Sequence, residues 1–296
     1  MISIIVSSIN PEQNLLFRKN IEQTIGVLYE LLIHDNRESK WGLCKIYNHY
    51  ARISKYDILC FFHEDICFHT DDWGGIIADF LSRTPQAGVI GFAGSTIKTK
   101  NVSGWGSYKD TTRKNVIQHL GNGRVQDRTC NPFQESYAPV VVVDGLALIT
   151  TKRVWEQCPF DEMKFPGFHL YDLDFSMQVA RYYTNFVCYP IRVEHFSNGS
   201  YTKEWFDKSV VFHQKWAGEL PFSIRSYTPS FLRKCENFCA YQMAKAELRF
   251  LWREQSLSSI VRKQNELSSM LYKLKLTKYV LQAVGRKMFH RLHFRH

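Results

Sequence analysis

The 296 residues predict an α/β fold built on a mostly parallel central sheet. Three observations carry that prediction. Over residues 1–92 short apolar runs alternate with stretches of helical period, the pattern that sets a parallel sheet between helical layers. Three successive strands stop at polar residues, Ser7-Ser8, Asp35-Asn36 and His63-Glu64-Asp65. Ligands of open α/β sheets lie beyond the carboxyl ends of the strands, so this reads as a nucleotide-binding edge. Finally, residues 227–296 hold fourteen Lys/Arg against four Asp/Glu and carry the whole net charge of +10, whereas residues 1–226 are neutral. The chain therefore divides into an α/β domain, 1–226, and a basic helical region, 227–296.

Ile2 to Ser7 (ISIIVS) is the first buried strand. Asn10-Pro11 opens a loop, and Glu12 to Gly26 places Leu15, Leu16, Ile21 and Ile25 at helical spacing. Val27 to Ile33 is the second strand, and Trp41 to Ser54 is a second helix entered through Gly42. The stretch Lys55 to Trp73 (KYDILCFFHEDICFHTDDW) organises the rest. Its apolar run Ile58 to Phe62 has the character of a strand buried on both faces, and it stops abruptly at His63-Glu64-Asp65. Three polar groups at the end of a core strand are costly unless they meet water, a ligand or a metal. Asp65 stands where a hard cation bridges it to a phosphate. The alternative is a solvated turn whose acid caps the next helix. Asp71 or Asp72 can cap a third helix reaching Ser82, and Ala87 to Phe92 is a fourth strand.

Ala93 to Pro139 breaks the rhythm with Gly, Asn, Thr and charge. A long irregular insertion of this kind is functional or mobile, and Asn122-Gly123 within it is a hairpin signal. Val140 to Asp144 resumes the core, followed by a strand-like LALITT and a short helix from Thr151 to Gln157. Pro159-Phe160-Asp161-Glu162 precedes a second acidic cluster, Tyr171-Asp172-Leu173-Asp174. A helix from Asp172 to Tyr183 would bury Phe175, Val179 and Tyr182. Asp172 and Asp174 fall in its first turn, where the helix dipole favours acids. An N-cap contributes about 1 kcal/mol and needs one acid; two acids beside a flexible His-Gly approach suggest more than a cap. Phe186 to Val193 is a last strand, ending at Glu194-His195, and Tyr201 to Gly218 is an amphipathic helix.

At 45% hydrophobic and 15% aromatic residues the chain can bury a sizeable core. No apolar run approaches the roughly eighteen residues of a membrane span, and the start runs straight into a strand without a secretory pattern. The eight cysteines form no CxxC pair, which indicates neither a zinc site nor a disulfide framework and suits reduced, cytoplasmic thiols. GxGxxG and GxxxxGK[ST] are both missing, so dinucleotide and P-loop classes lack their phosphate loops. In the basic region Leu248, Leu251 and Trp252, then Ile260, Leu267, Leu271 and Leu274, form apolar stripes. These read as basic amphipathic helices, with Cys235 and Cys239 facing the core one turn apart. Such helices suit an anionic membrane surface, the inner face of a cell membrane for a cytoplasmic protein, or packing on the α/β domain or on a second copy in a homo-oligomer. Nucleic acid is not the expected partner, because the tail's aromatics fall on the helical stripes.

Residues 1–220 resemble the family-2-like glycosyltransferases of the GT-A fold, a Rossmann-like nucleotide-sugar-binding architecture. The matching pieces occur in the family's order: ISIIVSSINPE, HDN, WGLCKIYN, FFHEDICF, VDG, PFDE, YDLDF and a late His195. The likeness is closest to the bacterial branch with HED in place of aspartate-x-aspartate. It implies that Ser7 and Asn10 line the nucleotide pocket and that Asp35 bonds the base, with Asn36 and Glu64 on the same edge. It implies Asp65 as metal ligand, His195 as a further one, and Asp172 as catalytic base with Asp174 beside it. This sequence departs from the common motif at His63, where Asp is usual, and at Tyr171, where Glu is usual. His63 is thereby counted with the metal ligands. The implied activity is inverting transfer of a sugar from a nucleotide-diphosphate-sugar to an acceptor hydroxyl, with a divalent cation (Mn or Mg). The acceptor would be a saccharide or a lipid-linked acceptor of cell-surface polysaccharide synthesis. The competing readings are a nucleotidyltransferase, whose Gly-rich basic loop SSINPEQN does not supply, and a non-catalytic membrane- or nucleic-acid-binding protein led by the tail.

Overall fold

The computed structural model describes residues 1–106, 108–120, 123–197, 199, 201–251 and 272–280. In chain order the first elements are β1 (Ile2–Ser8), α1 (Pro11–Thr24), β2 (Tyr29–Asp35), α2 (Asn36–Ser39), α3 (Leu43–Ile53), β3 (Ile58–His63), β4 (Ile66–Phe68) and α4 (Trp73–Arg83). Short strands follow: β5 (Ala87–Gly91), β6 (Ala93–Ser95), β7 (Ile97–Lys98), β8 (Thr112–Lys114), β9 (Val116–His119), β10 (Val125–Asp127), β11 (Tyr137–Val140), β12 (Val142–Val143) and β13 (Ala147–Thr151). Then come α5 (Lys152–Gln157), α6 (Tyr171–Ala180), β14 (Thr184–Cys188), β15 (Val193–His195), α7 (Lys203–Lys215), β16 (Phe222–Ser223) and α8 (Pro229–Leu251).

The central sheet has seven strands in the order β11-β14-β5-β13-β3-β1-β2. β1 runs parallel to β2 and β3, and β5 parallel to β14. β13 is antiparallel to both β3 and β5, and β11 to β14. The sheet is thus mixed where a mostly parallel one was expected. The cause is local: β13 starts opposite Phe62, at the carboxyl end of β3, so it enters from the ligand edge and must run backwards. Side chains alternate across the sheet as the pleat requires. Ile5, Leu59, Phe61 and Leu148 pack with α3 and α6 on one face. Ile4, Val6, Cys60, Phe62 and Ile149 pack with Phe17 and Ile21 of α1 and Trp73 and Ile77 of α4 on the other. Each large apolar side chain so buried contributes about 1.5–3 kcal/mol.

Several local expectations change. Leu15 and Leu16 are exposed, because Phe17, Ile21 and Ile25 form the face of α1 that meets the sheet. Tyr182 is exposed as well, since α6 ends at Ala180 and no longer carries it inward. Asp72 occupies the N-cap position of α4 in a left-handed conformation, and its side chain makes no cap hydrogen bond. The predicted strand from Phe186 to Val193 is two strands in different sheets, and Val140 to Asp144 is divided between β11 and β12. The described residues of the 93–139 insertion form short strands. β6 pairs with β8 and β12, while β9 lies between β10 and β15 in a four-stranded sheet. Its hairpin residue Asn122 lies outside the described residues.

Polar struts fix the loops that carry the acids. Buried Asn48 on α3 accepts from the Trp155 indole N–H (2.9 Å) and Phe160 N–H (3.1 Å). It donates to Phe160 C=O (2.8 Å) and to Glu162 (2.7 Å). Gly42 lets α3 begin against the same region, since a Cβ there would lie 1.7 Å from Pro166 O. Asp174 is 1% exposed. It pairs with Lys215 at 2.9 Å and accepts from the Trp216 indole N–H (2.9 Å) and Gln178 (2.9 Å). It ties α6 to the end of α7.

α8 begins just beyond the expected domain boundary and lies against the α/β domain. Glu236 accepts from Lys100 N–H (2.7 Å) and Asn101 N–H (2.8 Å). Cys235 and Cys239 are buried, as their one-turn spacing predicts. The stripe residues Trp252, Ile260, Leu267 and Leu271 lie outside the described residues, and Leu274 is exposed. Among the described residues no helix is long and apolar enough to cross a membrane.

Two stability predictions follow from the struts. Asn48→Ala leaves the Trp155 indole and the Phe160 N–H without partners, at about 1–3 kcal/mol for each unsatisfied buried group, while Phe160 C=O keeps the Glu162 N–H at 3.1 Å. The expected loss is about 2 kcal/mol or more, read as a lower midpoint in chemical denaturation. Asp174→Ala leaves the Trp216 indole without a partner and Lys215 with Asp161 alone at 2.7 Å; an unsatisfied buried donor costs about 1–3 kcal/mol, and calorimetry should show a correspondingly lower melting temperature.

Candidate active site

The parallel register aligns the ends of three strands. Ser7 lies opposite both His34 and His63, and Ser8 opposite Asp35. Beyond this edge opens a cleft of about 2030 Å³. Ser7, Asn10, His63, Asp65, Asp144, Asp172 and His195 are among the residues that line it.

β3 delivers His63 at its last position, and the tight turn into β4 presents Asp65. β15 pairs with β4 so that His195 lies opposite Ile66, next to that turn. His195 Nε2 lies 3.5 Å and His63 Nδ1 3.9 Å from Asp65 Oδ1. The ligand atoms of all three lie within 4.8 Å of one another. Two ligands about 2.1 Å from one ion stand at most roughly 4.2 Å apart, so both distances to Asp65 already suit a shared divalent cation. Burial works against the charge on Asp65, but the hydrogen bond from His195 and the nearby imidazoles hold its carboxyl below the usual range. His195 is shifted the opposite way: burial is outweighed by Asp65, and the imidazole is raised. Burial lowers His63, which favours the uncharged imidazole.

Glu64 points away from its two neighbours. Its carboxylate accepts from Ser8 Oγ (2.6 Å), Ile9 N–H (2.9 Å) and Asn10 N–H (3.0 Å). Glu64 thus shapes the β1–α1 loop that borders the cleft. Asn10 caps α1, accepting from Glu12 and Gln13 N–H, and still lines the cleft. Asn36 also lines it, and its amide brackets the Trp41 backbone at 2.7 and 2.9 Å. Asp35, expected to bond a base, does not border the cleft. It caps α2, and its carboxylate is exposed and paired with Arg37 at 2.5 Å, the hydrogen bonds of which hold it down to about 2.

The two acids of α6 part company. Asp174 is the buried strut already described and does not border the cleft. Asp172 does, and its Oδ2 accepts from Gly145 N–H (2.9 Å). Leu170, in a left-handed conformation, holds the N-cap position of α6 without a side-chain bond, so Asp172 is not the helix cap. Burial, then the charge of Asp144, pushes the Asp172 carboxyl up to about 7. That places proton uptake in the range useful to a general base.

Sequence reasoning did not single out several wall residues. Asp144 interrupts an apolar run, which is a signal; Lys114, 4.7 Å over the Trp105 ring, offers none. Phe238, Gln242, Met243 and Lys245 of α8 border the cleft too. Nothing in a charged helical tail marks them for this place.

No curated protein matches the sequence. Among solved structures, a mannosyltransferase from Pyrobaculum calidifontis in complex with GDP-Man and Mn2+ is similar at a TM-score of 0.50 and 12% identity, over 98% of this chain and 87% of the other. S. aureus TarS 1–349, in complex with UDP-GlcNAc, is similar at a TM-score of 0.47 and 10% identity, over 89% and 78%. The profile of the family described as "Glycosyltransferase like family" matches residues 3–212, a span that takes in every acid and histidine of the cleft and stops short of α8. The chain belongs to this glycosyltransferase-like family and is a glycosyltransferase of the GT-A fold.

Proposed function

We propose that this protein transfers a sugar from a nucleotide-diphosphate-sugar to an acceptor hydroxyl, with inversion and with help from a divalent cation. One juxtaposition supports the reading most. The His63–Asp65–His195 group and Asp172, whose carboxyl is pushed up to about 7 by burial and Asp144, face one cleft at the ligand edge of the sheet. The mannosyltransferase of similar fold was solved with GDP-Man and Mn2+, which accords with such a donor and cation.

Ser7, Asn10 and Asn36 border the nucleoside end of the cleft. His63 Nδ1, Asp65 Oδ1 and His195 Nε2 would hold the cation, Mn or Mg, the two imidazoles favouring Mn over the oxygen-seeking Mg. A divalent cation bound there supplies Lewis-acid charge to the departing diphosphate. Asp172 accepts the proton of the acceptor hydroxyl as its oxygen attacks the anomeric carbon and the bond to the diphosphate breaks. Attack from the side opposite the leaving group inverts that carbon. We assign the acceptor to a saccharide or lipid-linked saccharide of cell-surface polysaccharide synthesis. Exposed Ile9, Phe168, Phe196 and Tyr201 at the cleft support an amphiphilic acceptor. The +10 charge of residues 227–296 supports action at an anionic membrane's inner face.

A thermal-shift screen of nucleoside diphosphates with Mn2+ tests the donor. A ligand at 100 times its dissociation constant adds about 2.7 kcal/mol of stability; no shift with any nucleoside diphosphate would sink the reading. Asp65→Asn should weaken the Mn2+-dependent part of that binding. Asp172→Asn should leave it nearly intact and slow transfer about 10²–10⁴-fold, the usual range of general-base assistance. Because the base must be ionised, the wild-type rate should rise about tenfold per pH unit up to about 7 and then level off. The slope should vanish in Asp172→Asn; a retained slope would move the base elsewhere.

A further inference from the structure

Tyr171 stands in a hydrogen-bonded chain between the two halves of the cleft. Its hydroxyl donates to Gly145 C=O at 2.9 Å and lies 2.9 Å from His63 Nε2. The neighbouring residue on the same helix turn, Asp172, accepts from Gly145 N–H at 2.9 Å. The two side chains therefore grip both polar groups of one residue. Gly145 has to be glycine for this: an added Cβ would lie 2.3 Å from the Tyr171 hydroxyl and 3.0 Å from Asp172 Cβ.

The chain of donors has a single consistent direction. A carbonyl oxygen accepts and cannot donate, so the one hydroxyl proton of Tyr171 is spent on Gly145. Toward His63 the phenol oxygen can then only accept, and His63 must carry its proton on Nε2. The lone pair of the neutral ring is left on Nδ1, the atom that faces Asp65 Oδ1 at 3.9 Å. A hydrogen bond at one imidazole nitrogen sets which nitrogen binds a metal. We infer that Tyr171 is a positioning residue: through its hydroxyl it fixes the tautomer that makes His63 a cation ligand, and through Gly145 it ties that ligand to the place of the Asp172 carboxylate. This rests on the reading of His63, Asp65 and His195 as the cation group. It goes beyond it by making Tyr171 and Gly145 part of how that group is assembled.

The test needs no sugar. In the metal-free wild-type protein, nitrogen-15 NMR of the His63 ring should show a proton on Nε2 and none on Nδ1; the opposite tautomer overturns the inference. Tyr171→Phe removes one oxygen and keeps the ring. It should leave a mixed His63 tautomer and weaken the binding of Mn2+ alone, read by electron paramagnetic resonance or calorimetry, by 10–100-fold, the usual effect of losing such an outer partner. His63→Ala should weaken Mn2+ to a similar degree, and the double variant should be little worse than either single one. Gly145→Ala should reproduce the Tyr171→Phe loss by displacing the hydroxyl. Mn2+ affinity unchanged in Tyr171→Phe, or losses that add fully in the double variant, would overturn it. Wild-type protein that binds no Mn2+ also overturns it, yet leaves glycosyl transfer standing if a nucleotide-sugar is still turned over.

Discussion

The buried carboxylate of Glu64 holds the ligand edge together. It sits at the carboxyl end of β3, where a core strand can no longer satisfy its own polar groups, and takes three hydrogen bonds from Ser8, Ile9 and Asn10. Those bonds fasten the end of β1 to the end of β3 and set the start of α1. They also decide what the neighbouring residues do. With Glu64 committed to the loop, His63 and Asp65 project the other way, into the cleft, where β15 brings His195 to meet them. A carboxylate that takes three such bonds from backbone and hydroxyl donors is a rigid anchor, and the histidine–aspartate group inherits that rigidity.

The cleft then sorts its acids by environment. Asp65 keeps its charge because two imidazoles and a hydrogen bond favour it. Asp172, half-buried beside Asp144 with no cation among the described residues paired to it, is pushed towards neutrality. Asp174, two residues on and the same in sequence character, is spent on Lys215 and Trp216. Three aspartates thus have three fates, set by neighbours that come from elsewhere in the chain.

His63 and Tyr171 come from different ends of the domain and touch in the structure, at 2.9 Å. The imidazole and the phenol form one hydrogen-bonded pair. The extension beyond the family's span is similarly not a separate appendage: Glu236 anchors α8 to the insertion, and the next turns of the helix border the cleft.

The sequence by itself determined the strands β1, β2 and β3 and their polar ends. Runs such as Ile2 to Ser7 and Ile58 to Phe62 must be buried, and the polar residues that stop them must meet something other than core. It likewise marked His63, Asp65, Asp172 and His195, because each stands where a strand or helix begins or ends. Tertiary structure decided the rest, since it depends on contacts between residues far apart in the chain. β13 runs antiparallel because it re-enters from the ligand edge. The strands of the 93–139 segment form because they find partners in β12 and β15. Asp35 turns to Arg37, and Asp174 is claimed by Lys215 forty-one positions away. A carboxylate's periodic position says which element it belongs to. Whether it meets a cation, a proton or a lysine is set by what packs against it, and no local pattern records that.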